Sequence, residues 1–130
     1  MSAATRLLAA ALVLLHGCAT SDDGALRAPL PISPVNGTDF DHFPRSTELK
    51  WSPVAGAVAY AIEIDCFHCC EMGKWCTQVA EPRIRATGIR ETTYRFVWVG
   101  ANLGRWRVWA LGPDDRQGEK SAWQDFLYKR

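Results

Sequence analysis

The chain has 130 residues, 48% of them hydrophobic, and it contains six Trp, three Tyr and five Phe. This is enough apolar material for one packed domain but too little for two. Fifteen Lys and Arg residues face 14 Asp and Glu residues. The balanced charge leaves no strongly basic surface for a phosphate backbone, which argues against nucleic acid as a partner.

The N-terminal segment has the layout of an export signal. A short polar start carries Arg6, and nine uninterrupted apolar residues follow at positions 7–15. This order of polar start, apolar run and small residues is typical of a secretory signal peptide. A membrane-spanning helix needs about 20 apolar residues, so the run is too short to cross a bilayer.

The end of this segment, Leu15-His16-Gly17-Cys18, resembles the lipobox of bacterial lipoproteins. The resemblance implies that residues 1–17 are a signal peptide and that Cys18 carries lipid. Ala19 follows where an Asp would retain the protein at the inner membrane, so the resemblance implies an outer-membrane lipoprotein of the bacterial cell envelope. A plain secreted protein and an inner-membrane signal anchor are the alternatives.

Small and polar residues dominate after Cys18 and give nothing periodic to bury, so residues 18–28 are predicted to form a lipid-anchored tether. The folded domain is then expected over residues 29–130. Apolar and polar residues alternate repeatedly in that stretch, which is typical of half-buried strands. We expect extended segments or strands at 30–35, 48–52, 58–65, 75–80, 92–98, 105–111 and 121–128.

Short strands separated by turn signals, without a helical period, predict an all-β fold, namely an immunoglobulin-like β-sandwich of about seven strands. Five segments match a known pattern: 33–37 (SPVNG), 49–57 (LKWSPVAGA), 60–64 (YAIEI), 106–110 (WRVWA) and 121–123 (SAW). In this order they resemble a fibronectin type III domain. The resemblance implies that Trp51 and Tyr60 lie in the core.

The sequence departs from that family at two places. The family usually has a Tyr two positions before Trp106, and here the residue is Gly104. The tyrosine corner that closes the connection between two strands is therefore expected to be missing. The second departure is a cluster of cysteines between the predicted third and fourth strands.

Four cysteines, Cys66, Cys69, Cys70 and Cys76, lie within eleven residues. An even number in an exported domain favours two disulfides. All three pairings stay open, although a bridge between the adjacent Cys69 and Cys70 would be strained because neighbouring Cα atoms are only about 3.8 Å apart.

The same cluster allows two sharper hypotheses. Four thiolates, or three with His68, could surround Zn²⁺ tetrahedrally. A redox-active pair is the other alternative. The adjacent cysteines break the spacing typical of zinc sites, and export passes through an oxidising compartment, so disulfides are the favoured interpretation and no cofactor is expected.

Catalysis has no support in the sequence. His42 and His68 lie beside no recognisable nucleophile motif. Glu63 and Asp65 share one face of a predicted strand, where neighbouring acids are expected to be solvated. The chain is therefore predicted not to be an enzyme.

One charged stretch is a candidate binding face. Six Arg but a single acid lie between residues 83 and 107. If Arg95, Arg105 and Arg107 share an outer face with Trp109, they could stack as cations on the indole or bind an anionic glycan. An ordinary solvated sheet face is the plainer interpretation.

These features predict a non-enzymatic module, attached to the membrane through lipid, that contacts an envelope protein or glycan. A thiol-redox or zinc-binding module built on the cysteine cluster is the alternative function.

Overall fold

A computed structural model describes residues 25–130. This part of the chain forms eight strands and two single-turn 3₁₀ helices, Cys76–Gln78 and Pro113–Asp115. The strands are β1 (Pro31–Ser33), β2 (Thr38–Phe40), β3 (Ser46–Trp51), β4 (Ala59–Cys66), β5 (Ile84–Ile89), β6 (Thr93–Val97), β7 (Leu103–Leu111) and β8 (Gln124–Tyr128).

The strands make two sheets that share one hydrophobic core. One sheet has the order β1-β3-β6, and the other has the order β2-β8-β7-β4-β5. Neighbouring strands are antiparallel except for β2 and β8, which run parallel. The predicted all-β, immunoglobulin-like β-sandwich is confirmed.

The core is built by the expected alternation on the two longest strands. Ile62 and Ile64 of β4 and Trp106 and Val108 of β7 have no exposed surface. Trp51 lies on β3 in the three-stranded sheet and packs against the five-stranded sheet. Its ring centroid lies 6.5 Å from that of Trp106. Burial of aliphatic and aromatic surface from both sheets is the main favourable term in folding.

Tyr60 and Tyr128 place their rings in the core and form hydrogen bonds through their hydroxyl groups. Tyr60 packs edge-on against Trp51, and its hydroxyl accepts a hydrogen bond of 2.9 Å from the amide of Val54. The hydroxyls of Tyr128 and Thr47 hydrogen-bond across the two sheets. Burial raises the pKa of Tyr128 above its ordinary value of 10.0, so this phenol keeps its proton further into the alkaline range.

Gly104 leaves room for an aromatic ring. A Cβ atom at this position would lie 2.3 Å from the ring of Phe126. The ring of Phe126 therefore occupies the space directly above the backbone of β7, at the position where the fibronectin resemblance would place a tyrosine. The absence of a side chain at residue 104 is a packing requirement of this chain.

Two parts of the predicted strand pattern are wrong. Residues 75–80 contain a 3₁₀ turn instead of a strand, and Trp75 makes only an isolated bridge with Phe67. Two strands were not predicted at all: β2, which has three residues, and β5, an edge strand. Gly88 within β5 and its mixed composition hide the alternation there. Val58, expected on the core face, precedes β4 and is 58% exposed.

The folded region begins earlier than expected. Leu26, assigned to the tether, is buried and packs beside Gly56, Gly112 and Gly118. Its carbonyl also accepts a hydrogen bond from the amide of Glu119. The segment from Leu26 onward therefore belongs to the domain, because apolar burial and a backbone hydrogen bond hold it there. The predicted signal peptide, Cys18 and the start of the tether lie outside the described residues.

Across residues 25–130, none of the helices has the length and apolar character needed to cross a bilayer.

The contact at Gly104 gives a stability prediction. We expect Gly104→Ala to lower the free energy of unfolding by about 1 to 3 kcal/mol, because the new methyl group overlaps the Phe126 ring. The measurement is equilibrium unfolding in urea. In a double-mutant cycle with Phe126→Leu, the two losses should be less than additive, since the smaller side chain makes room. Fully additive losses would contradict this packing account.

Candidate functional site

The outer face of the five-stranded sheet is covered by a second layer of side chains. We call this the outer layer and define it as the set Glu63, Asp65, Trp75, Arg105, Arg107, Trp109 and Trp123. Glu63 and Asp65 were expected to be solvated, but they are only 4% and 0% exposed. The register explains the correction, because Glu63 lies opposite Arg107 and Asp65 lies opposite Arg105 on the neighbouring strand.

Asp65 is the most completely bonded member of this layer. Its Oδ1 accepts hydrogen bonds from the amides of Cys66 at 3.0 Å and Thr77 at 3.1 Å. Its Oδ2 accepts from the Thr77 hydroxyl at 2.5 Å and from Arg105 Nε and Nη2 at 3.2 and 3.1 Å. A buried carboxylate is tolerated when a cation and several donors replace its water.

The two arginines of β7 are stacked as well as paired. The guanidinium carbon of Arg105 lies 4.2 Å from the ring centroid of Trp75 and 4.2 Å from that of Trp123. The guanidinium carbon of Arg107 lies 4.1 Å from the Trp123 ring. A guanidinium between aromatic faces gains cation–π attraction that strengthens as water is excluded. These arginines stack on Trp75 and Trp123, whereas the prediction named Trp109, over which only Lys120 lies.

Glu63 is paired less evenly. Its Oε2 accepts from Arg107 Nε at 3.1 Å and Nη2 at 2.9 Å. Its Oε1 has only longer contacts, with Arg85 at 3.4 Å and Lys120 at 3.5 Å. The ammonium of Lys120 also lies 4.3 Å from the ring centroid of Trp109. One oxygen of Glu63 is thus satisfied, and the other faces two loosely held cations.

The proposed binding face does not form as a unit. Arg95 lies on β6, in the opposite sheet, and contacts Glu48 at 3.5 Å. Arg105 and Arg107 are on the same face, but each is paired with a buried acid. Trp109 is 5% exposed and packs in a small cluster with Ala61 and Leu111. The sequence overestimated the free positive charge of this face because it did not reveal the paired acids.

The cysteines form two disulfides, Cys66 with Cys69 and Cys70 with Cys76. Their Cα atoms are 5.7 and 5.2 Å apart, within the usual range for disulfides. We call residues 66–76 the disulfide loop. Because Cys76 precedes Thr77, the second bridge fixes the turn that donates two hydrogen bonds to Asp65.

The zinc hypothesis for Cys66, Cys69, Cys70, Cys76 and His68 does not fit this arrangement. The four sulfurs are bonded in pairs, and His68 Nδ1 accepts a hydrogen bond of 2.6 Å from the amide of Gly73. Within the part of the chain that the structure describes, no group of three or more His, Cys, Asp or Glu residues could hold a metal ion.

Several residues of this site were not identified from the sequence. Trp75 was assigned to a strand, and neither Thr77 nor Lys120 was singled out. Trp123 was recognised only as part of the fold pattern. The one available signal was the matched order of Glu63 and Asp65 on one strand and Arg105 and Arg107 on another, which would pair in an antiparallel register.

Comparison with known proteins places the fold. No protein-family model matches the chain, and no curated protein matches it. Among solved structures, a Fn3-like protein from Clostridium thermocellum is 19% identical with a TM-score of 0.54, covering 82% of this chain and 96% of its own. The fn3 domain of human collagen alpha-1(XX) chain is 18% identical with a TM-score of 0.52, covering 86% of this chain and 93% of its own.

These similarities show a fibronectin type III-like fold. The identities are too low to transfer a ligand or a partner from either structure.

The buried acid gives a second prediction. We expect Asp65→Asn to lower the free energy of unfolding by about 3 to 5 kcal/mol, because Arg105 would lose the charge that compensates it in a buried site. Chemical denaturation measures this loss. Glu48→Gln is the matched control, since Glu48 also pairs with an Arg on a neighbouring strand but is solvated. It should cost less than about 1 kcal/mol. Equal losses would show that burial of the pair is unimportant.

The disulfide pairing gives a third prediction. With Cys18 left out of the count, the double variant Cys66→Ser/Cys69→Ser should contain no free thiol, and Cys66→Ser/Cys76→Ser should contain two. Alkylation followed by intact-mass measurement counts the thiols. Each native bridge closes a short loop and should stabilise the domain by about 2 kcal/mol. Four alkylated thiols in the unreduced native protein would contradict both bridges and favour a thiol module.

Proposed function

We propose that the protein is a lipid-anchored, non-enzymatic module of a bacterial envelope that makes contacts with an envelope protein or glycan. The observation that supports it is the polarity of the sandwich. The start of the domain and the disulfide loop lie at opposite ends, so a lipid attached upstream of the domain would leave the loop end directed away from the membrane.

The ladder between β4 and β7 defines these ends. Ala59 pairs with Leu111 at one end, and Cys66 pairs with Gly104 at the other. Eight residues of strand span about 26 Å. Leu26 lies at the first end, beside the glycines of the neighbouring turns. The disulfide loop begins at the second end.

The attachment would be short. Seven residues lie between Cys18 and the buried Leu26, and the eight Cα–Cα steps allow a reach of about 28 Å when fully extended. The first end of the domain would stay near the lipid surface, and the second end would stand about one domain length further out. A domain held in this way presents one end preferentially to molecules in the envelope.

Four of the nine exposed large apolar side chains in residues 25–130 lie at this outer end. Phe43 is 85% exposed and Met72 is 82% exposed, and Val97 and Val99 are 64% and 67% exposed. Val97 pairs with the first residue of β3, and the amide of Trp98 donates to the carbonyl of Arg45, which brings the segments of Phe43 and Val99 to the same end. Exposed large apolar groups gathered on one part of a small domain are typical of an interaction surface.

The alternative is a thiol-redox module, and one observation favours it. Cys70 lies at an exposed position, whereas its partner Cys76 is fully buried. A thiolate could reach the Cys70 side of this bridge first. The reduction potential of this bridge separates the two functions, because structural disulfides lie below about −300 mV and redox-active ones lie above it.

A pair of valines tests the interaction surface. Val97 and Val58 are similarly exposed but lie at opposite ends of the sandwich. A photo-crosslinking residue at position 97 is expected to form specific adducts in intact cells, and the same residue at position 58 is not. Mass spectrometry of the adducts identifies what is contacted.

The anchor is tested in the same cells. Cys18→Ser should move the protein from the membrane fraction to the soluble envelope fraction and abolish metabolic labelling with palmitate. Equal crosslinking at both valine positions would contradict an outer interaction end. Retention of Cys18→Ser in the membrane together with labelling would contradict the lipid anchor.

A further inference from the structure

A cleft lies on the outer face of the five-stranded sheet, beside the outer layer. Its volume is about 370 Å³, which is within the range of small-ligand sites. Side chains from β4, β5, β7 and the segment before β8 line it. Those that matter here are Ala61, Glu63, Arg85, Thr87, Trp109 and Lys120.

The cleft carries more positive charge than its buried acid requires. Arg107 already neutralises Glu63 through two short hydrogen bonds to one oxygen. Arg85 and Lys120 contact the other oxygen at 3.4 and 3.5 Å, and they are 54% and 40% exposed. Arg85 also pairs with Glu81, but that acid is 79% exposed and its attraction is screened by water. Two partly exposed cations therefore face one cleft.

The floor of the cleft is aromatic. Trp109 is fixed because its indole N–H donates a hydrogen bond of 2.7 Å to Gln117. Ala61, the residue opposite Trp109 on β4, is small and leaves the space above the indole open to a side chain from elsewhere. That space is covered by the ammonium of Lys120. Lys120 has a flexible stem and long contacts, so an anion could draw it aside and uncover the ring.

We propose that this cleft binds a carboxylate-bearing sugar residue, such as a uronic acid of an anionic envelope glycan. The planar carboxylate would pair with the fork of the Arg85 guanidinium and with the ammonium of Lys120. The apolar face of the sugar ring would pack on Trp109, and the hydroxyl of Thr87 would hydrogen-bond with the hydroxyls of the sugar ring. This inference goes beyond the proposed outer-end contacts, because Ala61 and Trp109 lie two residues from the Ala59–Leu111 pair at the first end of the sandwich. It rests only on the general interaction function and adds a second site with its own ligand class.

The geometry favours this site over Arg105 and Arg107. Both of those arginines form hydrogen-bonded ion pairs with buried acids and stack on indoles. A glycan would have to break these ion pairs to bind them. Arg85 and Lys120 are more exposed, and they contact the buried Glu63 only at 3.4 and 3.5 Å, so a ligand carboxylate reaches them without breaking a short bond to a buried acid. The cleft lies on the face of the sheet, whereas an extended peptide would add its hydrogen bonds along the free edge of β5.

Nuclear magnetic resonance on the full-length ¹⁵N-labelled protein in detergent micelles tests the site. The probe is a trimer of galacturonate, and a neutral galactose trimer of equal length is the control. We expect the acidic trimer to shift the indole N–H of Trp109 and the Nε–H of Arg85, and to leave the indoles of Trp51 and Trp106 unchanged. The neutral trimer should shift none of them.

Variants locate the charge that binds. Arg85→Gln and Lys120→Gln should each weaken binding of the acidic trimer by about tenfold, the loss expected for one charged hydrogen bond. Arg95→Gln, a solvated arginine on the opposite sheet, is the matched control and should bind as the parent does. Equal weakening by all three variants would overturn the proposal, because it would reveal only a general attraction to anions.

Two further probes separate the sources of the carboxylate. Sodium acetate at the same carboxylate concentration should not shift Trp109, and equal shifts would show that the sugar ring contributes nothing. A Glu-containing tripeptide that shifts Trp109 as strongly as the trimer would assign the cleft to acidic peptide and overturn the sugar proposal. If the protein does not bind the trimer but still crosslinks through position 97, the cleft site is refuted and the proposed function stands.

Discussion

The hydrogen bonding of the buried Asp65 carboxylate is the interaction on which the rest of the five-stranded sheet depends. The carboxylate is fully buried, and five hydrogen bonds converge on it from β4, from β7 and from the turn after the disulfide loop. A charge in this position is stable only because its donors are supplied together, so the strand register, the loop and the stacked arginine are energetically linked. The disulfide between Cys70 and Cys76 holds one of these donors in place.

Around this carboxylate the outside of the sheet becomes a closed layer. The arginines that could have met a partner instead neutralise Glu63 and Asp65 and fill the space between indoles. A count of arginines predicts that this outer face binds a ligand, but the charges of Arg105 and Arg107 are already paired within the protein. Two regions remain available for contact: the end carrying the disulfide loop, and the cleft beside Trp109, where Arg85 and Lys120 are partly exposed.

Much of the fold could be predicted from the sequence, because the alternation in β4 and β7 is strong and Trp51 and Tyr60 stand in recognisable segments. The burial of Glu63 and Asp65 could not. Each looks like a solvated acid along its own strand, and its partner lies 44 or 40 residues away in a register that only the folded sheet defines. The same holds for residues 75–80, where the bond from Thr77 to Asp65 and the bridge at Cys76 override a strand-like composition.

The six tryptophans are divided equally between two environments. Trp51, Trp98 and Trp106 lie between the sheets, and Trp75, Trp109 and Trp123 lie outside, each with a cationic group over its ring. Indole emission consequently reports two layers at once. If the outer layer unfolds before the sandwich does, total fluorescence and far-ultraviolet circular dichroism show different unfolding transitions. If the two transitions coincide, the outer layer and the sandwich unfold cooperatively.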